Sequence, residues 1–274
     1  MRDILVNTNE FSGWTGAVAY AADLAARIGG ALTAAHVHPS TLHLVPPFAS
    51  ANLIATIVDN AENAERNARA AAPGFLEWAQ KAGVAFPTWQ VIEGNLPATL
   101  AHLGNWHDLL VLERNTEIPW GTPADVGAIV LAAGIPCIVT PKEATVARLD
   151  CVALAWNGAI EGIRAIHAAM PLLQRASRVV LLAGQERERL AETGWRVPFD
   201  IDAYLARHAV QATRREIAAS DDAAGIALLE AAGAVEADLL VMGAYGRSRV
   251  SEWVFGGATT DVLTKASLPV FMRN

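Results

Sequence analysis

Residues 238–263 read DLLVMGAYGRSRVSEWVFGGATTDVL. An apolar run ends at Gly243, Gly246 follows three residues later, and the pair Gly256-Gly257 precedes two threonines. Glycine admits positive φ and lets a ligand approach where a Cβ would stand in the way. A loop of free N–H groups running into a helix N-terminus attracts anions through its unpaired donors and the helix dipole. The stretch offers both parts, with the helix opening near Gly257 and with Thr259 and Thr260 as candidate caps. Arg247 and Arg249 add positive charge, whereas Asp261 already serves the dipole of that first turn. The same glycines also suit a plain strand-to-helix turn. Neither a P-loop, which needs Lys then Ser/Thr after its last glycine, nor G-x-G-x-x-G is present.

Other reactive residue types make weaker patterns. His36 and His38, in HVH, fall on one side of a strand as metal ligands could, with His43 nearby. No carboxylate or cysteine at ligand spacing completes a set, so no metal is expected. His102, His107, His167 and His208 suit the surface or helix packing. Of eight tryptophans only Trp156, beside Asn157, stands near the glycine loop in the expected fold; packing accounts for the rest. Ser12, Ser177 and Ser248 have no legible His/Asp partners, and nucleophilic catalysis is unsupported. Cys137 and Cys151 sit in apolar surroundings without metal or redox spacing, as buried reduced thiols of a cytoplasmic protein would.

The elements that must position these residues come as a repeat. ILVNTNEFSG (4–13) lines up with VALAWNGAIE (152–161), which sets Asn9 over Asn157. HDLLVLE (107–113) matches ADLLVMG (237–243), and GIPCIVTP (134–141) matches SLPVFMRN (267–274). The offset shortens from 148 to 130, so the first copy carries about 18 extra residues, placed within 38–55. PKEATVARL links two domains, 1–143 and 148–274. In the second copy strands are predicted near 151–156, 178–183, 210–217, 238–242 and 269–272, and helices near 160–175, 198–207, 222–235 and 257–266. Apolar runs separated by amphipathic helices predict a doubly wound α/β domain, twice over. Ligands in such sheets bind outside the carboxyl ends of the strands, where strand order reverses.

Charge and length narrow the function. With 53% hydrophobic and 18% charged residues, a large core can be buried. No apolar stretch reaches the roughly 18 residues of a membrane span, and the N-terminus lacks a signal-peptide pattern. A net charge of −7 argues against nucleic acid as a partner. Residues 1–143 carry 7 Lys+Arg against 13 Asp+Glu, and residues 144–274 carry 14 against 15. The second half is the better host for an anion.

GAYGRSRVSEWVFGGAT resembles the G-x2-G-x9-G-(S/T) signature of the universal stress protein family, and LAWNGAIEGIRAIHAAMPLL (154–173) resembles the first strand and helix of its tandem members. The resemblance covers nearly the whole chain as two copies. It implies a five-stranded parallel sheet in each copy, with helices on both faces, and pairing through the last strand. In many members it also implies ATP bound at the glycine loop. On that basis Gly243, Gly246 and Gly256 match the ribose- and phosphate-contacting glycines, with Met242 and Tyr245 flanking them. Gly257, Ala258 and Thr259 open the following helix. Asn157 stands where most nucleotide-binding members have Asp, and Gly257 where they have a phosphate-binding Ser or Thr. The first copy reads ERNTEIPWGTPADVG (113–127) in the matching place, with Glu113 for Gly243. It is expected to be a degenerate, structural half.

The expectation is a cytoplasmic stress-response protein that binds ATP or a related adenine nucleotide in its C-terminal half. The nucleotide, with a divalent cation such as Mg2+ as an optional bridge between phosphates, would make it a sensor or adapter. Trp156, Asn157, Met242, Gly243, Tyr245, Gly246 and 256–259 would line the site. No general base is evident, so turnover would be slow if it occurs at all. The two halves should form an internal pseudo-dimer through PCIVTP (136–141) and PVFMRN (269–274), with a homodimer as a further option. Two rivals stand beside this reading: an interaction or scaffold protein whose nucleotide site is lost, and a slow adenine-nucleotide hydrolase. The hydrolase rival lacks the S-G-G-x-D-S-type loop.

Overall fold

A computed structural model describes residues 1–114, 122–184, 200–218, 223–245 and 257–274, with only the backbone of Leu42 and His43. By internal contacts the chain divides into two units. The first comprises Met1–Glu113, Ala132–Ile135 and Lys142–Ala147; the second comprises Arg114–Leu131, Pro136–Pro141 and Arg148–Asn274.

In the first unit β1 (Asp3–Asn7), β2 (Ala31–His38), β3 (Phe86–Glu93) and β4 (Leu109–Arg114) run in the order β3-β2-β1-β4. All of these pairs are parallel. β1 carries four consecutive buried residues, as a strand covered on both faces should. α1 (Gly16–Ile28) returns the chain to β2 and stops at Gly29, whose φ of 65° ends the helix in a left-handed cap that bonds back to Ala25 and Ala26. α2 (Thr41–Leu44), α3 (Ala51–Ala70) and α4 (Ala72–Lys81) lead to β3, and α5 (Leu96–Gly104) leads to β4. Ser50 caps α3 by accepting from Leu53 N–H, and Asn95 caps α5 by accepting from Ala98 N–H. Residues 38–55, where the extra residues of the first copy are expected, include α2 and the opening of α3. Only Ala68 of the twenty residues of α3 is buried.

The second unit holds α6 (Pro123–Ala132, up to Leu131), β5 (Cys137–Pro141), β6 (Cys151–Trp156), α7 (Ile160–Leu173), β7 (Arg178–Ala183) and α8 (Ile201–Arg207). It continues through β8 (Ala212–Glu216), α9 (Ala224–Ala234), β9 (Leu239–Gly243), α10 (Gly257–Lys265) and β10 (Val270–Arg273). The strand order is β5-β10-β9-β6-β7-β8. Every pair from β10 to β8 is parallel, and β5 alone runs antiparallel, with Val139 opposite Val270 and Cys137 opposite Met272. Crossovers between parallel strands are right-handed, so reversing direction after β8 places the helices on opposite faces. β8 closes one side with Arg214, Arg215 and Glu216 exposed, a charged edge that resists pairing with another chain.

The repeat recurs in atomic detail. Asp108 accepts from Arg2 N–H and Asp3 N–H at the start of β1, and Asp238 accepts from Cys151 N–H at the start of β6. In each case the aspartate in front of an apolar LLV run pins the fourth strand of a copy beside its first. The linker is tied down too: Ala147 is fully buried and its N–H bonds Asp23 of α1 at 2.8 Å.

Candidate nucleotide site

Strand order in the second unit reverses between β6 and β9, and Asn157 and Gly243 stand at the carboxyl ends of those two strands. Asn157 follows β6. Its Oδ1 accepts from Ala159 N–H at 3.1 Å, which turns the chain into α7, and Gly158 has a φ of 71° in that turn. A Cβ built on Gly162, in the first turn of α7, would stand 3.8 Å from Asn157 Oδ1.

Gly243 ends β9 against the same helix turn. A Cβ built there would stand 2.5 Å from the Glu161 carbonyl carbon and 2.6 Å from Gly162 N. Glycine at 243 is therefore required by the approach of α7, whatever else the loop binds. Two residues on, Tyr245 has a φ of 54°, a conformation a bulky side chain adopts only under constraint. Its N–H points to Thr259 Oγ1 of α10 at 3.5 Å, and burial pushes its phenol up to about 12. Asn157, Glu161, Gly162 and Gly243 thus meet at the turn into α7, and Tyr245, two residues beyond Gly243, meets Thr259.

The other predicted residues fall around it. Trp156 is 4% exposed and Met242 5% exposed, so both belong to the core below the strand ends. Gly257 is exposed and opens α10, with no described atom within 4 Å of a Cβ built on it; Ala258 is half-buried and Thr259 buried. Gly246 and Gly256 lie outside the described residues. Glu161 was not foreseen as a neighbour of Gly243. The motif NGAIEG shows it in sequence, but nothing there signals that β9 would touch it.

The first unit carries a different arrangement at its own reversal, between β1 and β4. Glu113, aligned with Gly243, sends its carboxylate to the N-terminus of α1, where Oε2 accepts from Ala17 N–H at 3.2 Å. Gly16 leaves room for it; a Cβ there would fall on the carboxylate. Glu10 takes the preceding donors, accepting from Thr15 N–H at 2.8 Å and from Thr15 Oγ1 at 3.0 Å. Two carboxylates thus serve the positive end of this helix. At the end of β1, Asn7 is 5% exposed and its carboxamide has no protein partner among the described residues.

His36 and His38 do stack along β2, but His36 Nδ1 is spent on the Thr8 carbonyl at 3.0 Å. Among the described residues no three His, Cys, Asp or Glu side chains are grouped to hold a metal, and no helix is long and apolar enough to cross a membrane. Cys137 and Cys151 are buried free thiols, and burial pushes Cys137 up to about 12.

Residues 162–272 match the universal stress protein family. The fold is similar to that of a universal stress protein from Archaeoglobus fulgidus DSM 4304, with a TM-score of 0.68 and 13% identity over 99% of this chain and 96% of that one. It is also similar to a functionally unknown protein from Pseudomonas aeruginosa PAO1, with a TM-score of 0.60 and 16% identity over 99% and 92%. At such identities these likenesses concern the fold alone. No curated protein matches the chain. The match to the universal stress protein family covers residues 162–272, and the chain as a whole has the tandem α/β fold of the structures it resembles.

Proposed function

We propose that the chain is a stress-response protein that binds ATP or a related adenine nucleotide in its second unit and uses occupancy to change partners. The observation that carries this reading is the cluster at the reversal point. Two strand ends, the turn into α7 and the first turn of α10 lie there, and no described atom would meet a side chain at Gly257. Phosphates would lie at that N-terminus, where free N–H groups and the helix dipole favour negative charge, with Mg2+ as an optional bridge. Asn157 and the backbone after Gly243 would hold ribose and base. Met242 and Trp156 would act from beneath, by shaping the floor. No side chain in the cluster is placed as a general base, so the role proposed is binding, with hydrolysis slow at most.

The first unit is read as structural, since Glu113 and Glu10 already occupy the N-terminal donors of α1. We further propose that 1–143 and 148–274 are the two domains and that they form an internal pseudo-dimer in the cytoplasm; the antiparallel ladder between β5 and β10 supports the pairing. One specific observation favours the interaction-protein rival. Asn157 Oδ1 and Thr259 Oγ1 both have protein partners, as they would in a site that had lost its ligand.

Mass spectrometry of small molecules released from freshly purified protein, followed by calorimetric titration with ATP, separates the two. The nucleotide reading expects an adenine nucleotide and one site per chain, abolished in Gly246→Val. Two comparable sites would refute the structural role of the first unit, and no uptake of any adenine nucleotide would leave the interaction protein.

A further inference from the structure

The nucleotide reading concerns the N-terminus of α10; the structure also shows what holds the other end. α10 has nine residues, about 13 Å of helix, too short to be stable alone, so its position depends on what grips it. At its C-terminal end the last carbonyls lack intrahelical donors. Arg114 supplies them: Nη1 donates to the Leu263 carbonyl at 2.8 Å and Nη2 to the Ala266 carbonyl at 2.6 Å. The guanidinium reaches them through apolar surroundings that include Val139, Val262, Leu268 and Val270. A planar fork of donors carrying positive charge suits a helix C-terminus in both geometry and sign.

Two further contacts complete the seat of α10. Gly225 of α9 lies so close that a Cβ on it would stand 2.6 Å from Asp261 Cβ and 2.8 Å from the Ala258 carbonyl oxygen. The Thr259 hydroxyl faces Tyr245 N–H. Among the described residues the brace is one-sided with respect to the repeat. At the offset of 130, Arg114 aligns with Ala244, which cannot return the contact. The last turn of α6 instead receives one neutral amide bond, from Asn274 Nδ2 to the Leu131 carbonyl at 3.3 Å. The charged, two-pronged grip falls on the helix whose other end opens at the glycine loop.

We propose that Arg114, a residue of the first sequence repeat, is a positioning residue for the nucleotide site of the second unit. By fixing the C-terminal end of α10 it holds Gly257, Ala258 and Thr259 in register with the end of β9. This rests on the nucleotide reading for its consequence, and on the geometry of α10 for its cause.

The test uses the full chain as parent, Arg114→Gln and Arg114→Lys, with ATP calorimetry and hydrogen exchange measured without ATP. In Arg114→Gln, amides of 258–263 should exchange at least several-fold faster while β6 and β7 keep their protection. ATP should bind at least tenfold more weakly. Arg114→Lys, which keeps the charge but not the fork, should recover part of both. ATP affinity equal to the parent's in Arg114→Gln overturns the proposal, as does a loss of protection spread evenly over the chain. If the parent takes up no ATP, the nucleotide reading fails by itself. Exchange then decides the brace: unchanged rates over α10 in Arg114→Gln overturn it.

Discussion

Gly257 is the residue where a single hydroxyl should matter most. No described atom lies within 4 Å of its Cβ position, so Gly257→Ser adds an oxygen at the N-terminus of α10 that displaces none of the described residues. One added hydrogen bond is worth about 1 kcal/mol, which corresponds to roughly fivefold tighter ATP binding. Calorimetry that shows no gain would place the phosphates elsewhere. His36 gives a pH signature in the first unit. Burial, helped by the nearby charge of His38 and opposed by the Thr8 carbonyl, holds its imidazole below the usual range. The folded state then takes up the proton less readily than the unfolded one. Stability is complete above about pH 6.5 and declines as pH falls below that value. In His36→Gln the decline should be shallower, measured as denaturation midpoints between pH 7 and 5. Asn7 offers a third test at this scale. A buried carboxamide without a protein partner costs about 1–3 kcal/mol, and the second copy has Ala155 at the aligned place. Asn7→Val should therefore raise the melting temperature, and a fall instead would mean that the amide has a partner, such as an ordered water or a ligand.

Elements explain why some of this was legible in sequence and some was not. The strands were plain, because continuous apolar runs such as DLLVM have no other use in an α/β chain, but Thr259 and Thr260, expected as caps, lie inside α10, which already begins at Gly257. The twenty-residue α3 was not plain, since its N-terminal half is exposed and shows little of the apolar face that marks a packed helix. Contacts between elements distant in sequence were hidden altogether. Gly243 looked like part of a ligand loop, but the geometry adds a second reason for it, the turn of α7 some eighty residues earlier. Glu113 looked like the loss of a glycine, but it bonds Ala17 N–H from nearly a hundred residues away. Gly243→Ala tests the packing role. Its Cβ would force β9 and α7 apart, at a cost of about 1–3 kcal/mol, with or without nucleotide. A variant as stable as the parent in urea would leave the glycine to the ligand alone.

At the scale of the whole molecule the last strand of each repeat carries the organisation. β5 comes from the first repeat, yet its contacts place it with the second unit, where it covers the outer edge of β10. Val270, Phe271 and Met272 are buried there, and an uncovered strand of that composition is a template for another chain. A fragment 148–274 keeps β6 to β10 and every residue of the proposed nucleotide site but loses β5. It should self-associate through the exposed β10 edge, the symmetric counterpart of the ladder it has lost. Light scattering should show its mass rising with concentration toward a dimer, and Phe271→Lys should weaken that association by placing charge in the new interface. A fragment that stays monomeric at every concentration would mean that β10 needs no cover, and the proposed pseudo-dimer would lose its physical reason.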